Sequence, residues 1–319
     1  MVKDWIKNFL YLTIVTLFYG CQQSPSFIIT ENPKSCIIGW GDSMMAGSGT
    51  EQSMTDYLNE LLNRETKNFG VGGTTSEATA LLQGGIPFIL EVEGEEIPKK
   101  GSVILHNTRI DPINKLTSSK RLGLLDGIPG ELTREYINEP PYKTIHYLFY
   151  RGKKGNVSDV KTQVEFQFKD ALESRANTVI IWTGRNDAKK ENEIYKTRDN
   201  IQCMVDYLKA TNDKKRVLVL SVCNGSSKKE SKGTTPYTEI IALNQLLKDS
   251  FGDNFIDVRT YLIKNALNDL GLRPTTEDRK EIHADCIPKS LRSDEVHLND
   301  NGNKAVAQFL AKIIIERGF

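Results

Sequence analysis

The sequence lacks an apolar run long enough to cross a membrane as a helix. Its most apolar stretch, Phe9 to Tyr19, is eleven residues with Thr13 and Thr16 inside it, whereas a spanning helix needs about 20. An excess of charge is also missing. The net charge is +1, and no basic stripe with interleaved aromatics occurs, so nothing recommends nucleic acid as a partner. The five cysteines have none of the spacings of a zinc site. Cys36 falls in a predicted strand and Cys203 on a predicted helix, where buried thiols are the simplest reading. Sequence alone does not pair the cysteines or give an oligomeric state. Histidine is scarce, with four in 319 residues, so few groups are available for proton transfer near neutral pH. The length suits one large domain or two modest ones.

The N-terminus has a character of its own. Lys3 and Lys7 precede the short apolar run, and Gly20-Cys21 follows it directly. A charged start, a short apolar core and a small residue read as a secretory signal. The pattern resembles a bacterial lipoprotein signal, which implies that Cys21 is the lipidated first residue of the mature protein. Phe18 and Tyr19 are bulkier than is usual there, and simple export or an uncleaved anchor is the alternative. Residues 1–33 are expected to be signal peptide and tether. The implied location is the cell envelope, anchored at Cys21, or otherwise the periplasm or the outside of the cell.

The rest of the chain is organised around Ser35-Cys36-Ile37-Ile38-Gly39-Trp40-Gly41-Asp42-Ser43. An apolar strand that breaks into a Gly-rich turn is where open α/β sheets put their chemistry. This places Ser43 at the carboxyl end of the first strand. A helix with Thr55 or Asp56 as its start signal is expected to reach Asn63, then a strand over Thr66–Phe69. Asn68-Phe69-Gly70-Val71-Gly72-Gly73-Thr74-Thr75 leads into a helix from Ser76 to Leu82. Residues 84–168 read differently. Strands are predicted over Ile86–Val92, Ser102–His106, Ile145–Tyr150 and Val160–Phe168, with turn-rich pieces between them and no amphipathic helix of usual length. We read 84–168 as a β-rich inserted subdomain within an α/β domain of residues 34–83 and 169–319.

Alternation then resumes. Strands are predicted at Thr178–Trp182, Arg216–Val222 and Phe255–Val258. Helices are predicted at Glu191–Ala210, Thr235–Asp249, Arg259–Leu270 and Gly302–Glu316. Ser226–Gly233 reads as a solvated loop and residues 271–293 as a long one. The expected fold is a three-layer α/β/α sandwich with a five-stranded parallel, flavodoxin-like sheet, interrupted by the β-rich insertion.

Four pieces fall in chain order: Gly41-Asp42-Ser43, Gly72-Gly73 after Asn68, Gly184-Arg185-Asn186-Asp187, and Asp294-Glu295-Val296-His297. In this arrangement the sequence resembles the SGNH (GDSL-type) hydrolase superfamily of serine esterases and lipases. The resemblance covers the α/β portions and not the insertion. A serine hydroxyl needs a base within hydrogen-bond reach. His297 is the candidate, because His106 and His146 fall in the insertion and His283 among charged residues of a loop. Asp294, three residues before His297, can orient the imidazole. Asp300 competes for that role but stands where a helix cap is expected.

The resemblance implies an oxyanion hole from the Ser43 amide, the Gly73 amide and the Asn186 side chain, with Gly72 one residue away as an alternative. Asp187 is expected to cap the following helix and Asp42 to orient the turn around Ser43. No metal or cofactor is called for. The implied activity is hydrolysis of an acyl or acetyl ester through an acyl-enzyme, on a small-molecule or glycan substrate. An O-acetyl group on a glycan is one candidate. The alternatives are an acyltransferase using the same serine and a surface glycan-binding protein with a vestigial site.

Overall fold

The structure, a computed structural model, describes residues 36–107, 110–139, 142–160, 162–175, 178–188, 193–210 and 216–319. The apolar N-terminal run, Cys21 and the expected tether lie outside the described residues. Among the described residues no helix is long and apolar enough to cross a membrane.

In chain order, β1 (Ile37–Gly41) leads into the single turn α1 (Ser43–Ala46), then α2 (Met54–Leu62), β2 (Thr66–Gly70) and α3 (Ser76–Gln83). A β-rich stretch follows: β3 (Phe88–Val92), β4 (Glu96–Ile97), β5 (Ser102–His106), β6 (Lys120–Leu125), β7 (Ile128–Glu139), β8 (Tyr142–Arg151), β9 (Ser158–Asp159) and β10 (Gln163–Phe168). The chain continues through α4 (Lys169–Glu173), β11 (Thr178–Trp182), α5 (Ile194–Lys209), β12 (Val217–Leu220), α6 (Ser227–Glu230), α7 (Thr235–Phe251) and β13 (Phe255–Ile256). It ends with α8 (Val258–Lys264), α9 (Ala266–Asp269), α10 (Thr276–His283) and α11 (Asp300–Glu316).

Five strands form one parallel sheet in the order β13-β12-β11-β1-β2. Renumbered within the sheet this is the doubly wound 2-1-3-4-5 order, as expected from the alternating pattern. β1, β11 and β12 are buried along their whole length, which is why they read as unbroken apolar runs. One face packs Ala80–Leu82 of α3, Met204 and Val205 of α5, and Leu243 and Leu247 of α7. The other packs Met54 and Leu58 of α2, Leu262 of α8, and Val306 and Leu310 of α11.

The stretch from β3 to β10 supplies no strand to that sheet. Six of its strands close into an antiparallel barrel in the order β10-β3-β5-β8-β7-β6, and β4 pairs with β9 as a two-residue ladder. Leu90, Leu105, Leu132, Tyr147, Phe149 and Phe166 fill the barrel and are continuous with the α3 face of the sheet. The hydrophobic layer therefore runs unbroken from the α/β core into the barrel, which fixes one against the other.

Several local expectations are corrected. β6 and β7 were not anticipated, because Asp126-Gly127-Ile128-Pro129-Gly130 reads as a turn-rich piece. Only Asp126-Gly127 turns: Leu125 pairs with Ile128 across it, and both turn residues have positive φ (48° and 76°), the backbone of a type I′ hairpin. Ser53, not Thr55 or Asp56, caps α2, and Asp56 completes a capping box. Residues 271–293 contain α10, with its own capping box from Thr275 and Asp278. Ser226–Gly233 is no plain solvated loop: it holds α6 and the buried Glu230. The predicted helix 259–270 is split at Asn265. Asn299, not Asp300, caps α11. The four described cysteines are free, and Cys203 is exposed rather than buried.

Candidate active site

The site is built at the carboxyl ends of β1 and β11, beside the point where the strand order reverses. Asp42 follows β1 and caps α1 by accepting from Met44 N at 2.9 Å. Its other oxygen accepts from Arg185 N at 3.1 Å, so one buried carboxylate ties the serine turn to the loop after β11. Burial pushes its pKa up to about 6, against the opposing effect of these two amide hydrogen bonds. The turn also needs Gly41, since a Cβ there would lie 2.0 Å from the carbonyl oxygen of Trp182. Ser43 becomes the first residue of α1. Helix first-turn N–H groups lack an intrahelical partner, and no acceptor for the Ser43 amide occurs among the described residues.

His297 Nε2 stands 3.0 Å from Ser43 Oγ, and His297 Nδ1 stands 2.7 Å from Asp294 Oδ2. With the proton on Nδ1, the ring donates to Asp294 and accepts from the serine hydroxyl. Asp294 Oδ1 also accepts from Val296 N at 2.6 Å and His297 N at 2.7 Å, an Asx-type turn that closes the loop on itself. Burial works against ionisation of Asp294, but the ring and amide hydrogen bonds from His297 and Val296 outweigh it and hold its pKa at about 2. It is therefore an anion at neutral pH. The imidazole nitrogens are taken by Asp294 and Ser43, and Asp300 instead accepts from Gln52 N at 3.4 Å.

The loop carrying Asp294 is held from beneath by residues the sequence did not single out. Arg292, 4% exposed, donates to Ile287 O and Asp294 O and pairs with Glu281. Ser226 N donates to Glu295 O at 2.8 Å. Glu230 accepts from Gly225 N and pairs with Arg185 Nη2, both at 2.6 Å. Arg185 thus ties the loop after β11 to α6, whose N-cap residue Ser226 bonds the histidine loop, while its Nε and Nη1 have no partner among the described residues. A charged residue inside the third block was the available signal, but its partner forty-five residues away was not.

Gly73 occupies the positive-φ position (76°) of a turn closed by Thr74 N donating to Val71 O, where glycine is favoured. Asn186 Nδ2 donates to Thr74 O at 2.8 Å, so the Asn186 amide lies against the Gly73 turn with its second hydrogen uncommitted. Asp187 does not cap the helix that follows. It reaches across to the start of α3, accepting from Ser76 N and Ser76 Oγ, both at 2.8 Å. Asn200 Nδ2 donates to the same hydroxyl. Ser43, Gly73, Asn186, Asp294 and His297 are thus brought to one rim, while His106 and His146 face each other across β5 and β8 in the barrel and His283 ends α10. No group of three or more His, Cys, Asp or Glu that could hold a metal occurs among the described residues.

Comparison with known proteins adds four matches. The chain is 26% identical over 289 residues to the tail spike protein of Salmonella phage epsilon15, covering 85% of this chain and 26% of that protein. It therefore spans about a quarter of the length of the curated relative it matches. Among solved structures, a lipolytic G-D-S-L family protein from Veillonella parvula matches with TM-score 0.45 at 12% identity, covering 88% of this chain and 98% of that one. A GDSL-like lipase from Bacteroides thetaiotaomicron matches with TM-score 0.44 at 11% identity, covering 91% and 92%. The model of the GDSL-like lipase/acylhydrolase family matches residues 123–305. That stretch starts after Ser43 and Gly73 but holds Asn186, Asp294 and His297, and it exceeds half of the sequence: the chain belongs to the GDSL-like lipase/acylhydrolase family.

Proposed function

We propose that this ester hydrolase is a serine esterase that removes an acyl group, an O-acetyl on a glycan, through an acyl-enzyme on Ser43. The observation that carries the reading is the unbroken relay Ser43 Oγ, His297 Nε2, His297 Nδ1, Asp294 Oδ2 at 3.0 and 2.7 Å. Ser43 Oγ attacks the ester carbonyl as His297 Nε2 takes its proton, and Asp294 stabilises the imidazolium. Charge on the carbonyl oxygen is met by the Ser43 amide, the Gly73 amide and Asn186 Nδ2. Collapse breaks the bond to the alcohol oxygen, which leaves with the proton from Nε2. Water then repeats the sequence against the acyl-enzyme and regenerates Ser43. No protein group outside these five is asked to move a proton.

A glycan substrate is supported by the barrel packed beside the site and by the predicted export. That a 289-residue segment recurs in a much longer tail spike protein supports reading the α/β unit and its barrel as one catalytic module. The test is turnover of a chromogenic acetyl ester together with acetate release from acetylated glycans. Activity in wild type and loss in Ser43→Ala support the proposal; equal activity in the two proteins ends it. We also propose anchoring at Cys21. Firm retention needs more than one acyl chain, as a lipoprotein cysteine would carry, so Cys21→Ser is expected to leave the membrane fraction or remain unprocessed. Unchanged retention would favour an uncleaved apolar anchor.

A further inference from the structure

The barrel does more than sit beside the sheet. Between β5 and β6, residues 110–119 bring Lys115 against the oxyanion glycine. A Cβ placed on Gly73 would lie 3.9 Å from Lys115 Cε, so the end of the Lys115 side chain comes against that turn. The segment is held by a clamp. Asp111 accepts from Arg134 Nε at 2.6 Å and from Tyr147 OH at 2.5 Å. Ile113, 1% exposed, is buried in the same hydrophobic layer, and its amide donates to Asp111 Oδ1 at 3.0 Å. Leu116 N then donates to Ile113 O. Lys115 is exposed, and stands between the buried Ile113 and the half-buried Leu116.

Lys115 has no ion pair or hydrogen bond among the described residues, in contrast to Lys228 and Lys229, which both engage Glu295. Next to it, between β2 and the barrel, lies a cleft of about 190 Å³ walled by Trp40, Phe69, Leu116 and Phe168, with Arg121 and Asp170 at its polar end. This is about six water volumes, room for one ring-sized group. The indole Nε1 of Trp40 is itself fully buried, with no hydrogen-bond partner among the described residues. The cleft therefore offers one cation, Arg121, and one carboxylate, Asp170, on aromatic walls, with Leu116 joining it to Lys115.

The geometry points to Lys115 as a specificity-determining residue that binds an anionic group on the alcohol part of the ester, so that the preferred substrates are acetyl esters of acidic sugars. The inference rests on the esterase reading above: an acetyl group is too small to carry a charge, which leaves the sugar to carry it. Asp170 opposes an anion only within the cleft and at the Arg121 end, whereas Lys115 stands alone over Gly73.

The test uses a matched pair of substrates, a mono-O-acetyl methyl glucuronide and the corresponding mono-O-acetyl methyl glucoside, which differ by one carboxylate. Wild type is expected to favour the glucuronide in kcat/KM by about fivefold at low salt, the upper range for a solvent-exposed ion pair, and less at high salt. Lys115→Ala is expected to bring the ratio to about one, Lys115→Glu to reverse it, and Lys115→Arg to keep it. Thermal unfolding of each variant reports whether the fold is intact. Equal rates on both sugars in wild type, or a preference that survives Lys115→Glu, would overturn this inference and leave the esterase reading standing. Failure to release acetate from either sugar while a chromogenic acetyl ester is cleaved would end the glycan assignment and this inference together.

Discussion

Asp187→Ala separates a positioning role from simple helix capping. Its two carboxylate oxygens accept from Ser76 N and Ser76 Oγ at 2.8 Å each, and Ser76 is fully buried. Hydrogen bonds to a charged group contribute about 1.5–3 kcal/mol each. Against this, burial raises the Asp187 pKa in spite of both bonds from Ser76, so part of that gain offsets desolvation of the carboxylate. The net loss expected on truncation is about 3 kcal/mol, well above the ~1 kcal/mol of an ordinary cap. The same bonds fix the start of α3, three residues from Gly73. Loosening them should let the Gly73 amide drift while Asn186 still holds Thr74 O. A misplacement of an ångström can cost about a hundredfold, so kcat is expected to fall by between ten- and a hundredfold with KM little changed. Asp187→Asn can still accept from Ser76 N and should lose about half as much stability. Urea unfolding followed by tryptophan fluorescence, with steady-state kinetics on an acetyl ester, reads both effects. A loss under 1 kcal/mol with kcat within twofold of wild type would refute the reasoning.

Three further outcomes follow from the same geometry. Ser43→Ala and His297→Ala should each abolish turnover of a chromogenic acetyl ester to a similar extent, because the members of the relay act as a unit; a His297→Ala enzyme of near wild-type rate would contradict this. Asn186→Ala should lower kcat about a hundred- to thousandfold with normal apparent affinity, checked by pre-steady-state acylation; a change in KM alone would place the donor elsewhere. The Asp42 pKa near 6 lies above the unfolded value of about 3.9, so the native state holds the proton more tightly. Its contribution to stability is full below pH 4 and is lost as pH rises through about 6, by about 3 kcal/mol in all. Unfolding free energies of wild type and Asp42→Asn from pH 4 to 7 should therefore converge or cross by that amount, and a pH-independent difference would contradict the assignment.

How much of this was legible in the sequence depends on range. β1, β11 and β12 are buried on both faces, so their apolar runs announced the sheet, while the order of the four blocks singled out Ser43, Asn186, Asp294 and His297 as candidates. Asp294 and His297 were readable because they are three residues apart and meet through one local turn. Asp187 was misread for the opposite reason: a local cap was the economical guess, while its partner Ser76 is 111 residues away. The same holds for Arg185 with Glu230 and for Lys115 over Gly73, none of which leaves a periodic trace. β6 and β7 were hidden because glycine and proline signal turns in isolation. In the barrel, Gly130 instead makes room for the Phe149 ring, which a Cβ would approach to 2.4 Å, and Pro129 sits in a strand with its carbonyl accepting from Gly152 N.

The central claim is that Ser43, activated by His297, is the nucleophile. The most direct measurement is peptide mapping by mass spectrometry after reaction with a fluorophosphonate probe, on wild type, Ser43→Ala and His297→Ala. The account predicts a single stoichiometric adduct on Ser43, absent in Ser43→Ala and formed far more slowly in His297→Ala. An adduct on another residue, or labelling that persists in Ser43→Ala, would contradict it.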